Sequence, residues 1–209
     1  MRRRALMLMS IAVPVLGIAN HGHAQDGSKP FTPEQLDQML APIALYPDPL
    51  LSQVLMAAGY PLEIVEAARW SKANPTLKGD TAVAAVKSMS WDTSVKSLVA
   101  FPDVLTNLDS HLDWTQKLGD AMISQQQAVA DSIQRLRAKA AAQNNLKTTP
   151  QQKVTTEGSG DNVQYVIEPA NPQVIYVPSY NPSWVYGPWP YPAYPPVDRK
   201  STRLNSSHT

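Results

Sequence analysis

Between residues 25 and 197 the chain has a single histidine, His111, and it has no cysteine anywhere. One imidazole without thiolates cannot furnish the three or four protein ligands of a zinc or copper site, so no metal centre is expected. A serine–histidine relay through His111 would need a serine on a nucleophile elbow, and the sequence holds no GxSxG. Neither a P-loop nor a dinucleotide glycine pattern is present, so no cofactor is expected. His111 itself reads as an exposed residue in the first turn of a helix.

Carboxylates are the remaining catalytic option, because glycan-cleaving enzymes work with a pair of them. Glu63 and Glu66 are three residues apart and share one helical face. Arg69 and Lys72 follow them, and the Glu66–Arg69 spacing suits a surface ion pair. Asp48 and Asp92 stand where helices begin and read as N-caps rather than acids. Trp70, Trp91 and Trp114 read as core aromatics, with the lining of a ligand groove as the alternative. No catalytic residue is assigned.

The best binding candidates are aromatic. Residues 167–196, "IEPANPQVIYVPSYNPSWVYGPWPYPAYPP", hold nine prolines and five tyrosines. That is too much proline for a helix and too aromatic for a flexible spacer. Tyr176, Tyr180, Trp184, Tyr186 and Trp189 form a row suited to a peptide, a glycan or a lipid headgroup, since such rings bury large areas at small entropy cost. The alternative is that the rings pack on the rest of the chain and hold the segment down.

The elements that would position these residues are mainly α. A multi-helix domain over 31–147 is expected, with one long C-terminal helix, followed by a small β and proline-aromatic segment. "FTPEQLDQML" places Thr32 at the N-cap, Pro33 in the first turn and Gln35 where it closes a capping box. In "YPDPLLSQVLMAAGYP", Asp48 caps, Pro49 starts and Gly59 ends the helix in a left-handed conformation. Pro61 opens the next helix, which packs through Leu62, Val65 and Trp70. "GDTAVAAVKSM" is a short helix, and "WDTSVKSLVAFPDVL" echoes the second one with its Asp92 cap and its Phe101-Pro102 step. The long helix is capped by Ser110 or Asp113 and runs to about Gln143. Leu118, Met122, Val129, Ile133, Leu136 and Ala140 give its apolar face, with Gln125 as the one polar break.

Residues 148–160 read as a polar linker. Over 161–187, "VQYVIEPA" and "QVIYVP" read as short strands. "NPQVIYVP" and "NPSWVYGP" repeat an Asn-Pro turn, a β-prone run, a tyrosine and a proline at an interval of ten residues. From 188 to 197 the chain reads as an extended, polyproline-like tail.

Residues 1–24 have the form of a secretory signal: Arg2, Arg3 and Arg4, an apolar run from Ala5 to Ala19, then Gly22 and Ala24 before the cleavage point. The apolar run is too short to span a bilayer, so no membrane attachment is expected in this chain. The end, "DRKSTRLNSSHT" (198–209), has the look of a translated sequencing adaptor and is set aside as an artefact. The full chain carries +1, but residues 25–197 carry 12 Lys/Arg against 16 Asp/Glu, a net of −4. Nothing there gathers phosphates, which excludes nucleic acid.

The segments "LAPIALYPDPLLSQVLMAAGYPLEIVEAARW", "WDTSVKSLVAFPDVL", "LDWTQKLGDAM" and "VIEPANPQVIYVPSYNPSWVYG" resemble a bacterial envelope family catalogued as domain of unknown function 3300. The resemblance covers roughly residues 32–187. It implies export to the periplasm or outer envelope, and it carries no activity and no catalytic residues. Family members often continue into a glycine-rich apolar stretch and a polar tail. The leading reading is a non-catalytic binding or structural module with a cell-wall or envelope-protein partner. The alternatives are an enzyme acting on cell-wall glycan or peptide, and a scaffold that self-associates through the Leu118–Val129–Leu136 face.

Overall fold

Thr32 starts the helical part as its sequence requires. Its Oγ1 accepts the Gln35 amide at 3.4 Å while Gln35 Oε1 accepts the Thr32 amide at 2.9 Å, which closes a capping box on α1 (Pro33–Leu40). The computed structural model describes residues 30–160 and 163–197, so the expected signal segment and the suspected artefact lie outside the described residues. After α1 the chain makes tight turns over 41–46 and enters α2 (Asp48–Ala57). Asp48 does not cap it: the N-cap is Pro47, and the Asp48 carboxylate is turned toward distant partners described below. Gly59 is not left-handed either, and its amide bonds the Met56 carbonyl at 3.2 Å.

α3 (Pro61–Ala73) buries Ile64, Ala67, Ala68 and Ser71, whereas Leu62 points into solvent. Its inner face is therefore one position out of phase with the expected Leu62–Val65 side. Small residues let α3 come close to its neighbours. α4 (Asp80–Ala85) and α5 (Thr93–Leu98) are short, and Asp92 caps α5 as expected by accepting the Ser94 amide at 2.8 Å. α6 (Pro102–Ser110) repeats the entry of α3: Tyr60 and Phe101 precede the prolines with φ of −124° in both.

The single long helix expected from the spacing is two helices, α7 (Leu112–Ser124) and α8 (Gln126–Ala142). They break at Gln125, which leaves the helical region at φ −143°, ψ 42°. The gain that offsets the lost helical turn is visible: the Gln125 side chain accepts the Phe31 amide at 2.7 Å and donates to the Phe31 carbonyl at 3.0 Å. Ser110 and Asp113 do not cap α7, whose N-cap is His111. α1 packs on α7 and α8, α2 on α5 and α7, and α3 on α5, α6 and α7. Leu118, Val129 and Leu136 are all buried inside this arrangement, so the face considered for self-association is already covered. The protein is mainly helical with a small two-stranded antiparallel sheet.

That sheet pairs β1 (Gln152–Glu157) with β2 (Gln164–Pro169), Val154 opposite Ile167 and Thr156 opposite Tyr165. β1 falls in the stretch read as a linker. Only one face of the hairpin is covered, so β1 needs few apolar residues and looks polar in sequence. "QVIYVP" forms no strand beyond an isolated bridge between Asn171 and Val174. The free edge of β2 is closed by helix side chains. Gln134 Oε1 accepts the Tyr165 amide (2.8 Å), Asp48 Oδ2 accepts the Ile167 amide (3.1 Å), and Arg137 Nη1 donates to the Tyr165 carbonyl (2.8 Å).

Candidate binding surface

The two Asn-Pro copies begin alike. Asn171 Oδ1 accepts the Gln173 amide at 3.0 Å and Asn181 Oδ1 accepts the Ser183 amide at 2.9 Å, the same side-chain turn in each. They then diverge. The first copy stays extended, and the second coils into a four-residue helix, α9 (Pro182–Val185), rather than a strand. Asn145 Nδ2 holds α9 down through the Val185 carbonyl at 3.0 Å.

The aromatic row is split between seated and exposed rings. Tyr186 is 3 % exposed, and its hydroxyl donates to the Ala41 carbonyl at 2.6 Å. Tyr180 donates to the same carbonyl at 3.0 Å and accepts the Leu45 amide at 3.3 Å. Burial, then the neighbouring Tyr180 hydroxyl, pushes the Tyr186 phenol far above the usual range. Trp189 continues the row: Tyr180, Tyr186, Trp189 and Tyr191 follow one another at centroid separations of 6.3, 6.2 and 5.9 Å. Lys139 Nζ closes it, 5.4 Å from the Trp189 ring and 5.2 Å from that of Tyr191. Trp184 and Tyr176 are left outside, 79 % and 54 % exposed. The expected tail is also folded back. Trp189 Nε1 donates to the Tyr194 carbonyl at 2.7 Å, Tyr194 turns onto Tyr191, and Gln38 Nε2 donates to the Pro195 carbonyl at 2.8 Å.

Two polar clusters that hold this segment and the helices together carry no sequence motif. Arg137, fully buried, donates to the carbonyls of Ala44 (2.9 Å), Tyr165 (2.8 Å) and Tyr46 (3.1 Å) and pairs with Asp48 at 2.5 Å. Asp37, also buried, accepts from Ser132 (2.6 Å), Arg135 (2.8 Å) and Lys139 (3.4 Å). One signal was available: Arg137 lies on the stripe of Ile133, Leu136 and Ala140, where a charge needs a buried partner.

The carboxylates considered for catalysis are tied to α5. Glu63 Oε2 accepts the Asp92 amide at 2.6 Å, and Glu66 Oε2 accepts Trp91 Nε1 at 2.8 Å. Glu66 thus serves Trp91 and not Arg69, and Lys72 pairs instead with Asp109 of α6 at 3.0 Å. Hydrogen bonds from Ser94 hold the Asp92 carboxyl below its ordinary range. His111 sits at the α6–α7 junction, half-buried, its Nδ1 donating to the Asn107 carbonyl at 2.9 Å. Trp91 and Trp114 are core residues, and Trp70 is partly buried against the core. A cavity of about 340 Å³ lies between α1 and α7, lined by Phe31, Gln38, Met39, Trp114 and Lys117 among others, without any member of the aromatic row.

No helix of the described residues is long and apolar enough to cross a membrane. No solved structure matches the chain significantly. It is similar to "Uncharacterized protein YacH" of Escherichia coli (strain K12), 45 % identical over 195 residues, which are 80 % of this chain and 32 % of that protein. The chain therefore spans about a third of the length of this curated relative. A family model described as "Protein of unknown function (DUF3300)" matches residues 32–208, which include the capped α1, the Gln125 break and both Asn-Pro turns. With most of its length matched, the chain belongs to the DUF3300 family.

Proposed function

We propose that the chain is an exported, non-catalytic binding module of the cell envelope that meets its partner through the exposed rings of its C-terminal segment. One observation carries this reading: Trp184 is 79 % exposed on a helix whose own backbone is anchored by Asn181 and Asn145. A large ring presented on an immobilised backbone binds with little further ordering cost. Nothing in the packing of the segment needs Trp184, while Tyr180, Tyr186 and Trp189 account for its seating. The basic n-region and apolar run of residues 1–24 support export, and the hydrogen-bonded state of Glu63 and Glu66 favours binding over acid–base chemistry.

Purified peptidoglycan fragments titrated into the full chain, followed by tryptophan fluorescence, test the binding half. Wild-type protein is expected to respond, and Trp184→Ala to bind about tenfold more weakly at an unchanged melting temperature. Equal affinity in the two proteins would remove Trp184 from the contact, and no response at all would remove the cell wall as partner. The export half is tested by the mass of the protein recovered from the periplasm, which should begin after Ala24.

A further inference from the structure

A second surface, built from other elements, groups exposed apolar side chains. α7 crosses the turn between α2 and α3 at Gly119, where a Cβ would stand 2.4 Å from the Ala58 carbonyl oxygen. The two backbones are in contact there, leaving no room for a methyl group. Two cavities of about 340 and 480 Å³ open at the crossing and share Gly59, Gly119 and Ile123. Ile123 and, beside Pro61, Leu62 are each 79 % exposed, and Met56 and Tyr60 are exposed on the same turn and its flanks. Three large exposed apolar side chains, Met56 of α2, Tyr60 of the following turn and Ile123 of α7, line one groove and mark a docking surface rather than scattered surface residues.

The charge at the groove has one sign. Asp92 and Asp120 line the cavities, Glu63 binds the Asp92 amide beside them, and no lysine or arginine lines either cavity. We propose that this groove docks a segment of another protein in which bulky apolar side chains alternate with lysine or arginine at helical spacing. The apolar walls supply the area, and the carboxylates select the cationic neighbours. A second copy of this chain would bring the same acids against each other, and an anionic bilayer surface would be repelled by them. The proposal is independent of the aromatic row, since none of its residues belongs to that segment.

The test uses the full chain and two labelled synthetic amphipathic peptides, one of leucine and lysine, the other with every lysine replaced by glutamate. Fluorescence anisotropy at low salt should show the leucine–lysine peptide binding at least about tenfold more tightly than its acidic counterpart. The double variant Met56→Ser/Ile123→Ser, whose side chains line the cavities and are exposed, should weaken it by about tenfold with an unchanged melting temperature. Asp120→Lys should weaken it as well, while Trp184→Ala should leave it unchanged. Equal binding of the two peptides, or binding that ignores the double variant, would overturn the proposal. So would sedimentation showing a wild-type dimer that the double variant abolishes, which would give the groove to a second copy. Binding to phosphatidylglycerol vesicles that only the double variant loses would give it to a lipid surface and overturn it too.

Discussion

At the scale of single residues, the chain is held together by polar side chains that reach across the fold. Tyr186→Phe removes the 2.6 Å bond to the Ala41 carbonyl, yet Tyr180 still donates to that oxygen, so urea denaturation at neutral pH should show a loss of only about 1 kcal/mol. The pH dependence separates the two proteins more sharply. The folded phenol stays neutral where an unfolded one ionises at its ordinary value of 10.0, so the unfolded state binds fewer protons above that pH. Wild-type stability then falls as pH rises past this point, by up to about 1.4 kcal/mol per pH unit from this group, and Tyr186→Phe should lack that component. Arg137→Met is expected to cost far more. It takes the ion-pair partner from Asp48 and the Arg137 donor from the Ala44 and Tyr46 carbonyls, while the Tyr165 carbonyl keeps Gln134 and the partly solvated Asp48 keeps the Ile167 amide, so a loss of about 3 kcal/mol is expected in the same denaturation experiment. Thr32 and Asp92 were legible in sequence because their partners lie within three residues. Asp48 was not: a cap and a long-range ion-pair partner look the same until Arg137 is placed.

At the scale of elements, proline and cap residues marked the starts of α1, α3 and α5 correctly, since those effects act within one turn, and misplaced the caps of α2 and α7. The break between α7 and α8 was visible only as a polar interruption, because its cause is Phe31, far away in sequence. β1 was missed for a related reason. A strand covered on one face and paired to a single neighbour carries little of the apolar alternation that identifies strands. The α2–α7 crossing offers a direct test of which local effect wins. Gly119→Ala should gain about 1 kcal/mol in helix propensity. The added methyl would meet backbone at 2.4 Å, where no flexible side chain can yield, and overpacking of this kind costs about 1–3 kcal/mol. A net loss of up to about 2 kcal/mol is expected in thermal denaturation, and a gain would show that the two backbones move apart freely.

At the scale of the whole molecule, the proline-rich C-terminal segment, residues 167–196, is a folded part of the helical domain and not a tether. The Asn-Pro phase pointed to order, and the structure places its rings in two classes that sequence alone could not sort: Tyr180, Tyr186 and Trp189 seated, Tyr176 and Trp184 exposed. Tyr176 and Tyr186 hold the same place in the two copies and differ in burial, and Trp184 and Tyr186 differ within one copy, so the sorting is set by long-range contacts such as that of Tyr186 with the Ala41 carbonyl. Backbone amide hydrogen exchange on the full chain is the most direct measurement. The amides of Tyr165, Ile167 and Val185, bonded to Gln134, Asp48 and Asn181, should exchange as slowly as those of α8. Exchange across 163–187 at the rate of an unstructured chain, with the helices still protected, would show that the segment is a tether.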